Sequence, residues 1–189
     1  DSGTDATPPA ICLGLFYLSL YELVGAQSIF ANEGNYVRPT TVLRIEDRDG
    51  NVIYNAEPIT KYVLNSEVAY ATLNMMKGVV DFGTGASLRS KHKWGGISYP
   101  MAGKTGTSRN STDGWFMGLT PDLVTGVWVG AKDPEVHFRS MKWGQGAHMA
   151  LPIYGYYMQQ VYGDSELKVS KEDFTPPAEY NPKRFECLE

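Results

Sequence analysis

The chain has 189 residues and a formal net charge of −4, and 42% of its residues are hydrophobic against 20% charged. This balance excludes a disordered chain, and the absence of a Lys/Arg run argues against a nucleic-acid partner. No apolar run reaches the roughly 18 to 20 residues that a membrane span requires. The length suits one domain, or a large piece of one.

Both ends have the character of a piece cut from a longer protein. Residues 1–9 are polar and are expected to form a flexible lead-in, and Leu188-Glu189 is typical of the scar of a C-terminal affinity tag. The two cysteines, Cys12 and Cys187, make no disulfide framework. Cys12 lies in an apolar run and is expected to be a buried hydrophobic residue.

The first elements are a helix and a hairpin. Ser19-Leu20-Tyr21-Glu22 has the spacing of a capping box, and apolar residues at helical spacing follow it, which predicts a helix over 19–32. The β-branched runs 37–46 and 52–54 flank an Asp-Gly turn and predict a hairpin. Pro39 places the start of its first strand at a sheet edge.

A second helix is predicted over Ser66–Asp81, with Ser66 as its N-cap and Gly83-Thr84-Gly85 as its stop. The stretch 87–96 carries several Arg, Lys and His side chains and is predicted to be a solvated loop.

Three strand-like runs follow, over about 98–107, 113–119 and 124–130, and their short connections require antiparallel neighbours. A last helix is predicted over 150–162, with Pro152 in its first turn, and the chain after Ser170 is predicted to be irregular. The fold class is therefore α+β, an antiparallel sheet packed with helices.

The segment Lys104-Thr105-Gly106-Thr107 carries the chemistry of the chain. Alternate side chains of a strand share a face, so Thr105 and Thr107 point one way and Lys104 the other. The two hydroxyls can bind a carboxylate, Gly106 permits close approach of a substrate, and an unpaired N–H of the strand can point at a carbonyl oxygen. Together these groups resemble half of an acyl-transfer site. The alternative is a structural strand that carries a solvated lysine.

Phosphate binding is the competing chemistry for this segment. Gly103-Lys104-Thr105 matches the end of the Gly-x-x-x-x-Gly-Lys-Ser/Thr loop, but that loop requires a glycine where Ser98 stands. It also requires a helix directly after Thr105, and Gly106 followed by the turn residues 110–114 argues against one.

The flanking sequence decides between the two. The decisive runs are Gly103-Lys104-Thr105-Gly106-Thr107-Ser108, Asp113-Gly114-Trp115-Phe116-Met117-Gly118 and Gly126-Val127-Trp128-Val129-Gly130. They closely resemble the bifunctional (class A) penicillin-binding proteins, which join a glycosyltransferase to a D,D-transpeptidase. Further matching segments are 12–14, 19–26, 30–34, 44–47, 78–81, 83–86, 138–140, 144–147 and 150–153.

The resemblance implies a serine acyl-enzyme reaction on peptidoglycan stem peptides ending in D-Ala-D-Ala, with β-lactams as substrate mimics. It makes Lys104 the source of positive charge near the nucleophile. It makes Thr105 and Thr107 the carboxylate ligands, with Gly106 between them, and the Thr107 N–H one half of the oxyanion hole. No cofactor and no metal are expected, and the histidines lack metal-ligand spacing.

The two other family motifs, Ser-x-x-Lys and Ser-x-Asn, find only chance matches. Ser90 and Ser165 fit the first by spacing, but Ser90 lies in a polar loop and Ser165 follows the active strand. Ser108-x-Asn110 fits the second but overlaps that strand. We therefore expect the nucleophile to lie outside this chain and the chain alone to be inactive.

The expected organisation is a lead-in at 1–9, the C-terminal part of a transpeptidase domain at 10–165 and an irregular tail at 166–189. The missing N-terminal part of the domain is the expected partner, and without it we expect an apolar sheet face to be uncovered. The resemblance implies a parent at the periplasmic face of the bacterial inner membrane. A serine β-lactamase fragment and a non-catalytic homologue are the alternatives.

Overall fold

A computed structural model gives the structure and describes residues 17–91 and 93–185. The helices are α1 Leu20–Ala31, α2 Ser66–Asp81, α3 Met141–Gly144 and α4 Gly146–Gly163. The strands are β1 Asn35–Val37, β2 Arg44–Glu46, β3 Val52–Asn55, β4 Thr60–Tyr62, β5 Ala102–Thr107, β6 Asp113–Leu119 and β7 Val124–Gly130. Short 3₁₀ turns occupy Ala86–Leu88, Arg109–Ser111 and Pro182–Arg184. The predicted α+β class is confirmed.

The capping box at the start of α1 forms as predicted. The Ser19 hydroxyl accepts a hydrogen bond from the Glu22 N–H at 3.3 Å, and the Glu22 carboxylate accepts one from the Ser19 N–H at 2.8 Å. The Ser19 hydroxyl in turn donates to the Glu22 carboxylate at 2.7 Å. This bond and, after it, the bond from the Ser19 N–H favour the charged carboxylate and lower the pKa of Glu22. The N–H groups of Ser19 and Glu22 are thereby both satisfied, which fixes where the helix begins.

The predicted strand over 37–46 is wrong, because the chain breaks it into two strands of different sheets. β1 pairs with β4, whereas β2 pairs with β3. Pro39 lies between them and cannot donate to a ladder, which ends β1 shortly before it. The predicted hairpin itself is confirmed at β2–β3, and the Asp47 side chain accepts hydrogen bonds from the N–H groups of Asp49 and Asn51 at 2.9 Å each.

The central sheet has the order β5-β6-β7, all antiparallel. Its two faces are covered by different helices. The Phe116 ring packs 4.7 Å from the Tyr154 ring of α4, and Met117 on the opposite face lies with Leu20 and Val24 of α1 around Gly126. Two buried clusters form the core, and the larger one contains Val80, Leu88, Ile97, Met101, Phe116, Ala150, Leu151, Tyr154, Met158 and Val161.

Two helix starts differ from prediction. Asn65, not Ser66, caps α2, since its side chain accepts from the Glu67 N–H at 2.8 Å, while the Ser66 hydroxyl bonds to Glu179. α4 begins at Gly146 rather than at residue 150, so Pro152 lies inside the helix and not in its first turn. The low helix propensity of glycine hides that first turn in the sequence.

The stretch 87–96 is not simply a solvated loop. Leu88 is fully buried, and the Arg89 guanidinium donates to the carbonyl oxygens of Ile97 at 2.8 Å and Tyr99 at 2.6 Å. It also pairs with Asp81 at 2.8 Å. The chain after Ser170 lacks strands and long helices as predicted among the described residues.

The C-terminal tail nevertheless packs along α2. Lys77 pairs with Asp173 at 2.6 Å, Arg184 pairs with Glu67 at 2.8 Å, and the rings of Tyr70 and Tyr180 meet at 4.7 Å. These contacts join residues more than ninety positions apart in the sequence. The tail is therefore irregular in conformation but fixed in place.

The expectation of an uncovered apolar sheet face is wrong. Met117 is 3% exposed and Leu119 0%, because α1 and α2 pack on that face. Exposed apolar side chains occur elsewhere, for example Met75 of α2 at 70% and Phe82 just after that helix at 84%.

Candidate functional site

β5 presents the candidate site residues at a sheet edge. Thr105 pairs with Phe116 and Thr107 with Gly114, whereas Lys104 pairs with Met117. Since Phe116 faces α4 and Met117 faces α1, the two threonines lie on the α4 face and Lys104 on the opposite face, as strand alternation predicts.

The hydrogen-bond register decides which N–H groups of β5 are free of the sheet. The Ser108 N–H donates to the Asp113 carbonyl of β6 at 3.0 Å. Because N–H groups alternate between the two edges of a strand, those of Thr105 and Thr107 point away from β6. Within the described ranges no strand pairs with that second edge. The Thr107 N–H therefore points out of the sheet at the edge of β5 that β6 does not occupy.

The Lys104 ammonium lies at the same edge. Its Nζ donates to the Thr105 carbonyl oxygen at 2.7 Å, and by the same alternation this carbonyl points away from β6. The side chain thus leaves the α1 face of the sheet and bends over the strand. Positive charge and an unpaired backbone N–H are consequently brought to one short stretch of β5.

The Thr107 hydroxyl is held by the first residue of α4. It accepts a hydrogen bond from the Gly146 N–H at 3.0 Å. A Cβ at residue 146 would lie 2.5 Å from the Trp115 carbonyl oxygen and closer still to that of Gly106. Glycine is therefore required at this position for α4 to approach the strand.

The Thr105 hydroxyl has a partner that the sequence did not indicate. Its Oγ1 lies 2.8 Å from the Oγ1 of Thr84, which follows α2. In the sequence, Gly83-Thr84-Gly85 gave only a helix stop. Thr84 and Thr105 are 21 positions apart in the sequence, and Gly146 and Thr107 are 39 apart. Contacts between residues this distant leave no local pattern, so the sequence assigned neither Thr84 nor the Gly146 N–H to the site.

A network of side chains closes the turn after β5. The Asp113 carboxylate accepts from the Ser108 hydroxyl at 2.9 Å and from Trp128 Nε1 at 2.9 Å. Asn110 adopts a φ of 59°, which asparagine tolerates better than most residues. Ser108 and Asn110 thus have structural tasks in this turn, in keeping with a chance Ser-x-Asn match.

The serines of the other chance motifs do not begin helices. Ser90 follows the Ala86–Leu88 turn, and Ser165 follows the end of α4. His92 and both cysteines lie outside the described residues. Within the described ranges, no cluster of three or more His, Cys, Asp or Glu side chains is arranged to hold a metal ion.

Two clefts lie away from β5. One of about 290 Å³ is lined by apolar side chains including Val129, Phe138 and Met149, and one of about 190 Å³ lies between α2 and the tail near Tyr70 and Phe174. Neither is lined by a residue of Lys104-Thr105-Gly106-Thr107. The candidate site is thus an open strand edge in this chain, suited to being one wall of a larger site.

Comparison with known proteins identifies similar chains. A family model described as the penicillin binding protein transpeptidase domain matches residues 10–142. Penicillin-binding protein 1B of Haemophilus influenzae is 33% identical over 169 residues, which is 89% of this chain and 20% of that protein. The chain therefore spans about a fifth of the length of this relative.

Solved structures share the fold. Penicillin-binding protein 1A from Haemophilus influenzae matches with a TM-score of 0.72 and 21% identity, over 85% of this chain and 28% of that one. An imipenem acyl-enzyme complex of penicillin-binding protein A from M. tuberculosis matches with a TM-score of 0.56 and 18% identity, over 76% of this chain and 31% of that one. At these identities the likeness shows the mixed helix and antiparallel-sheet fold.

Proposed function

Because this chain belongs to the penicillin-binding-protein transpeptidase family, we propose that the outer edge of β5 is one wall of a D,D-transpeptidase site. The family assignment confirms the resemblance to the class A proteins that the sequence carries. The reaction is acyl transfer between peptidoglycan stem peptides, and the wall binds the end of the donor peptide.

Each group of the wall has a role in this proposal. A serine Oγ outside this chain attacks the carbonyl carbon of the penultimate D-Ala, and the terminal D-Ala leaves with its amine protonated. The Thr107 N–H stabilises the oxyanion as the carbonyl oxygen gains charge. Lys104 supplies positive charge, and the hydroxyls of Thr105 and Thr107 bind the terminal carboxylate across Gly106. An amine of a neighbouring stem then takes the acyl group and frees the serine.

One observation carries the proposal. One short stretch of β5 holds an ammonium group, two hydroxyls and an N–H that the sheet leaves unpaired. A strand with only a structural task in the sheet has no reason to concentrate these groups. The combination matches an anionic substrate whose carbonyl gains charge during the reaction.

We further propose that the domain is completed by a segment preceding residue 10 and that residues 10–165 are its C-terminal part. The parent then carries a glycosyltransferase, lies at the periplasmic face of the bacterial inner membrane and binds β-lactams as stem-peptide mimics. Among the described residues no helix is both long and apolar enough to cross a bilayer. In this proposal the chain supplies the wall but not the attacking serine, and it is inactive alone.

Intact-mass measurement after benzylpenicillin treatment tests this proposal. The complete domain gains one penicilloyl group, and the 189-residue chain gains none. A penicilloyl adduct on Ser90 or any other serine of the chain alone overturns its predicted inactivity. An adduct that hydrolyses within seconds in the complete domain indicates a β-lactamase instead.

Substitution of Lys104 tests the wall itself. Lys104→Met in the complete domain removes the charge but keeps most of the aliphatic stem, and is expected to slow acylation about 100-fold. Lys93→Met is the matched control, because Lys93 is an exposed residue of the 87–96 stretch. Equal acylation rates for the two variants contradict the proposal.

A further inference from the structure

Thr84 occupies a defined place beside the candidate site. Its hydroxyl lies 2.8 Å from that of Thr105, although its side chain is exposed and the core does not need it. An exposed threonine ordinarily bonds to water. The Thr84 hydroxyl instead contacts the hydroxyl of Thr105, a residue that binds the carboxylate in the proposed function.

Backbone hydrogen bonds tie the turn around Thr84 to the end of α2. The N–H of Gly83 donates to the Gly78 carbonyl at 2.9 Å, and the N–H of Gly85 donates to the Val79 carbonyl at 2.8 Å. A Cβ at residue 83 would lie 2.8 Å from the Val79 Cα. The turn is thus folded tightly onto the end of α2, and the residue between the two glycines is presented to β5 in a fixed position.

Either hydroxyl can donate in the contact between Thr84 and Thr105, and binding an anion requires one of the two directions. A threonine hydroxyl has one proton and two acceptor lone pairs. The Thr107 oxygen already accepts from the Gly146 N–H, so its proton remains available for an anion. Thr105 can likewise donate its proton to an anion only if its bond with Thr84 runs the other way, from the Thr84 hydroxyl to the Thr105 oxygen.

We propose that Thr84 is a positioning residue that donates to Thr105 and so directs the Thr105 proton at the carboxylate of the bound peptide or β-lactam. Thr105 and Thr107 then each accept one hydrogen bond, from the Thr84 hydroxyl and the Gly146 N–H respectively, and each donates one to the carboxylate. A donor that also accepts a hydrogen bond is polarised and binds an anion more strongly. This inference rests on the proposed transpeptidase function.

The role is specific for charge. Loss of the Thr84 hydroxyl weakens one hydrogen bond to a carboxylate, which corresponds to about a 3- to 10-fold slower acylation by a substrate that carries this group. A substrate without the negative charge gains little from that bond and is expected to react with the Thr84 variant as it does with the parent.

The test measures second-order acylation rates of the complete domain with benzylpenicillin and with its methyl ester. Thr84→Val and Thr84→Ala are expected to slow the reaction of the free acid 3- to 10-fold and that of the ester less than twofold. Thr84→Ser keeps the hydroxyl and is the matched control, with both rates within twofold of the parent. In a Thr105→Val background, Thr84→Val is expected to cause no further loss.

The outcomes distinguish a failure of the Thr84 role from a failure of the proposed transpeptidase function. An unsubstituted complete domain that neither compound acylates overturns the proposed function and this inference together. A domain that is acylated normally but ignores Thr84→Val overturns the positioning role alone. Equal losses for acid and ester also overturn it, since they indicate a general disturbance of the fold.

Discussion

Gly146→Ala introduces one methyl group where α4 meets the active strand. The new Cβ would lie 2.5 Å from the Trp115 carbonyl oxygen and closer to that of Gly106. Carbon–oxygen contacts settle near about 3.3 Å, so the helix start must retreat by about 1 Å. Both clashing atoms belong to the backbone, and no side-chain rotation relieves the contact.

The retreat has a calculable cost. It lengthens the 3.0 Å bond between the Gly146 N–H and the Thr107 hydroxyl to about 4 Å, beyond hydrogen-bonding range. Overpacking costs about 1 to 3 kcal/mol, the lost bond about 1 kcal/mol, and the gain in helix propensity returns about 0.5 to 1 kcal/mol. The net expectation is a free energy of unfolding lower by roughly 1 to 3.5 kcal/mol.

Gly163→Ala is the matched control, because it makes the same change at the other end of α4. Apart from its chain neighbours and the adjoining backbone of α4, no described atom lies within 4 Å of the added Cβ, and the residue does not have a positive φ. Its free energy of unfolding is expected to stay equal or rise by up to about 1 kcal/mol. Urea unfolding of the two variants, followed by far-UV circular dichroism, measures the difference. Equal unfolding midpoints would refute the close approach of α4 to β5.

Two further substitutions test the burial of Tyr162 and the hydrogen bonds of Arg89. Burial raises the pKa of Tyr162 to about 12, so between about pH 10 and 12 the unfolded chain has lost a proton that the folded chain keeps, and the free energy of unfolding falls as pH rises. Tyr162→Phe is expected to make urea midpoints less sensitive to pH in that window, and an unchanged slope would contradict the assigned burial. Arg89→Met leaves the carbonyls of Ile97 and Tyr99 without their guanidinium donor and breaks the pair with Asp81, and is expected to lower the free energy of unfolding by about 2 kcal/mol. Arg89→Lys, which lacks the planar fork, should recover only part of this loss in thermal unfolding, and full recovery would show that charge alone suffices.

Some errors of the sequence interpretation come from near-equal local choices. Asn65 and Ser66 are neighbouring residues that both favour N-cap positions. In the structure Asn65 caps α2, and the Ser66 hydroxyl bonds to Glu179 of the tail. The start of α4 was missed because Gly146 disfavours a helix in isolation. The packing against β5 outweighs that preference, since no larger residue fits there.

The sequence by itself determined the local features and the family. The capping box of Ser19 and Glu22, the hairpin turn at Asp47 and the alternation of Lys104 and Thr105 each depend on residues a few positions apart. The long run of matching segments around Lys-Thr-Gly then specified a transpeptidase domain, because so many residues at fixed spacing rarely coincide by chance.

Only the tertiary structure decided how the active strand is supported. Thr84 meets Thr105 across 21 positions and Gly146 meets Thr107 across 39, and neither pair leaves a periodic or local trace in the sequence. The docking of the tail on α2 is of the same kind. A hydrogen bond depends on atoms approaching within about 3 Å, and for residues this far apart the packing of whole helices against the sheet sets that distance.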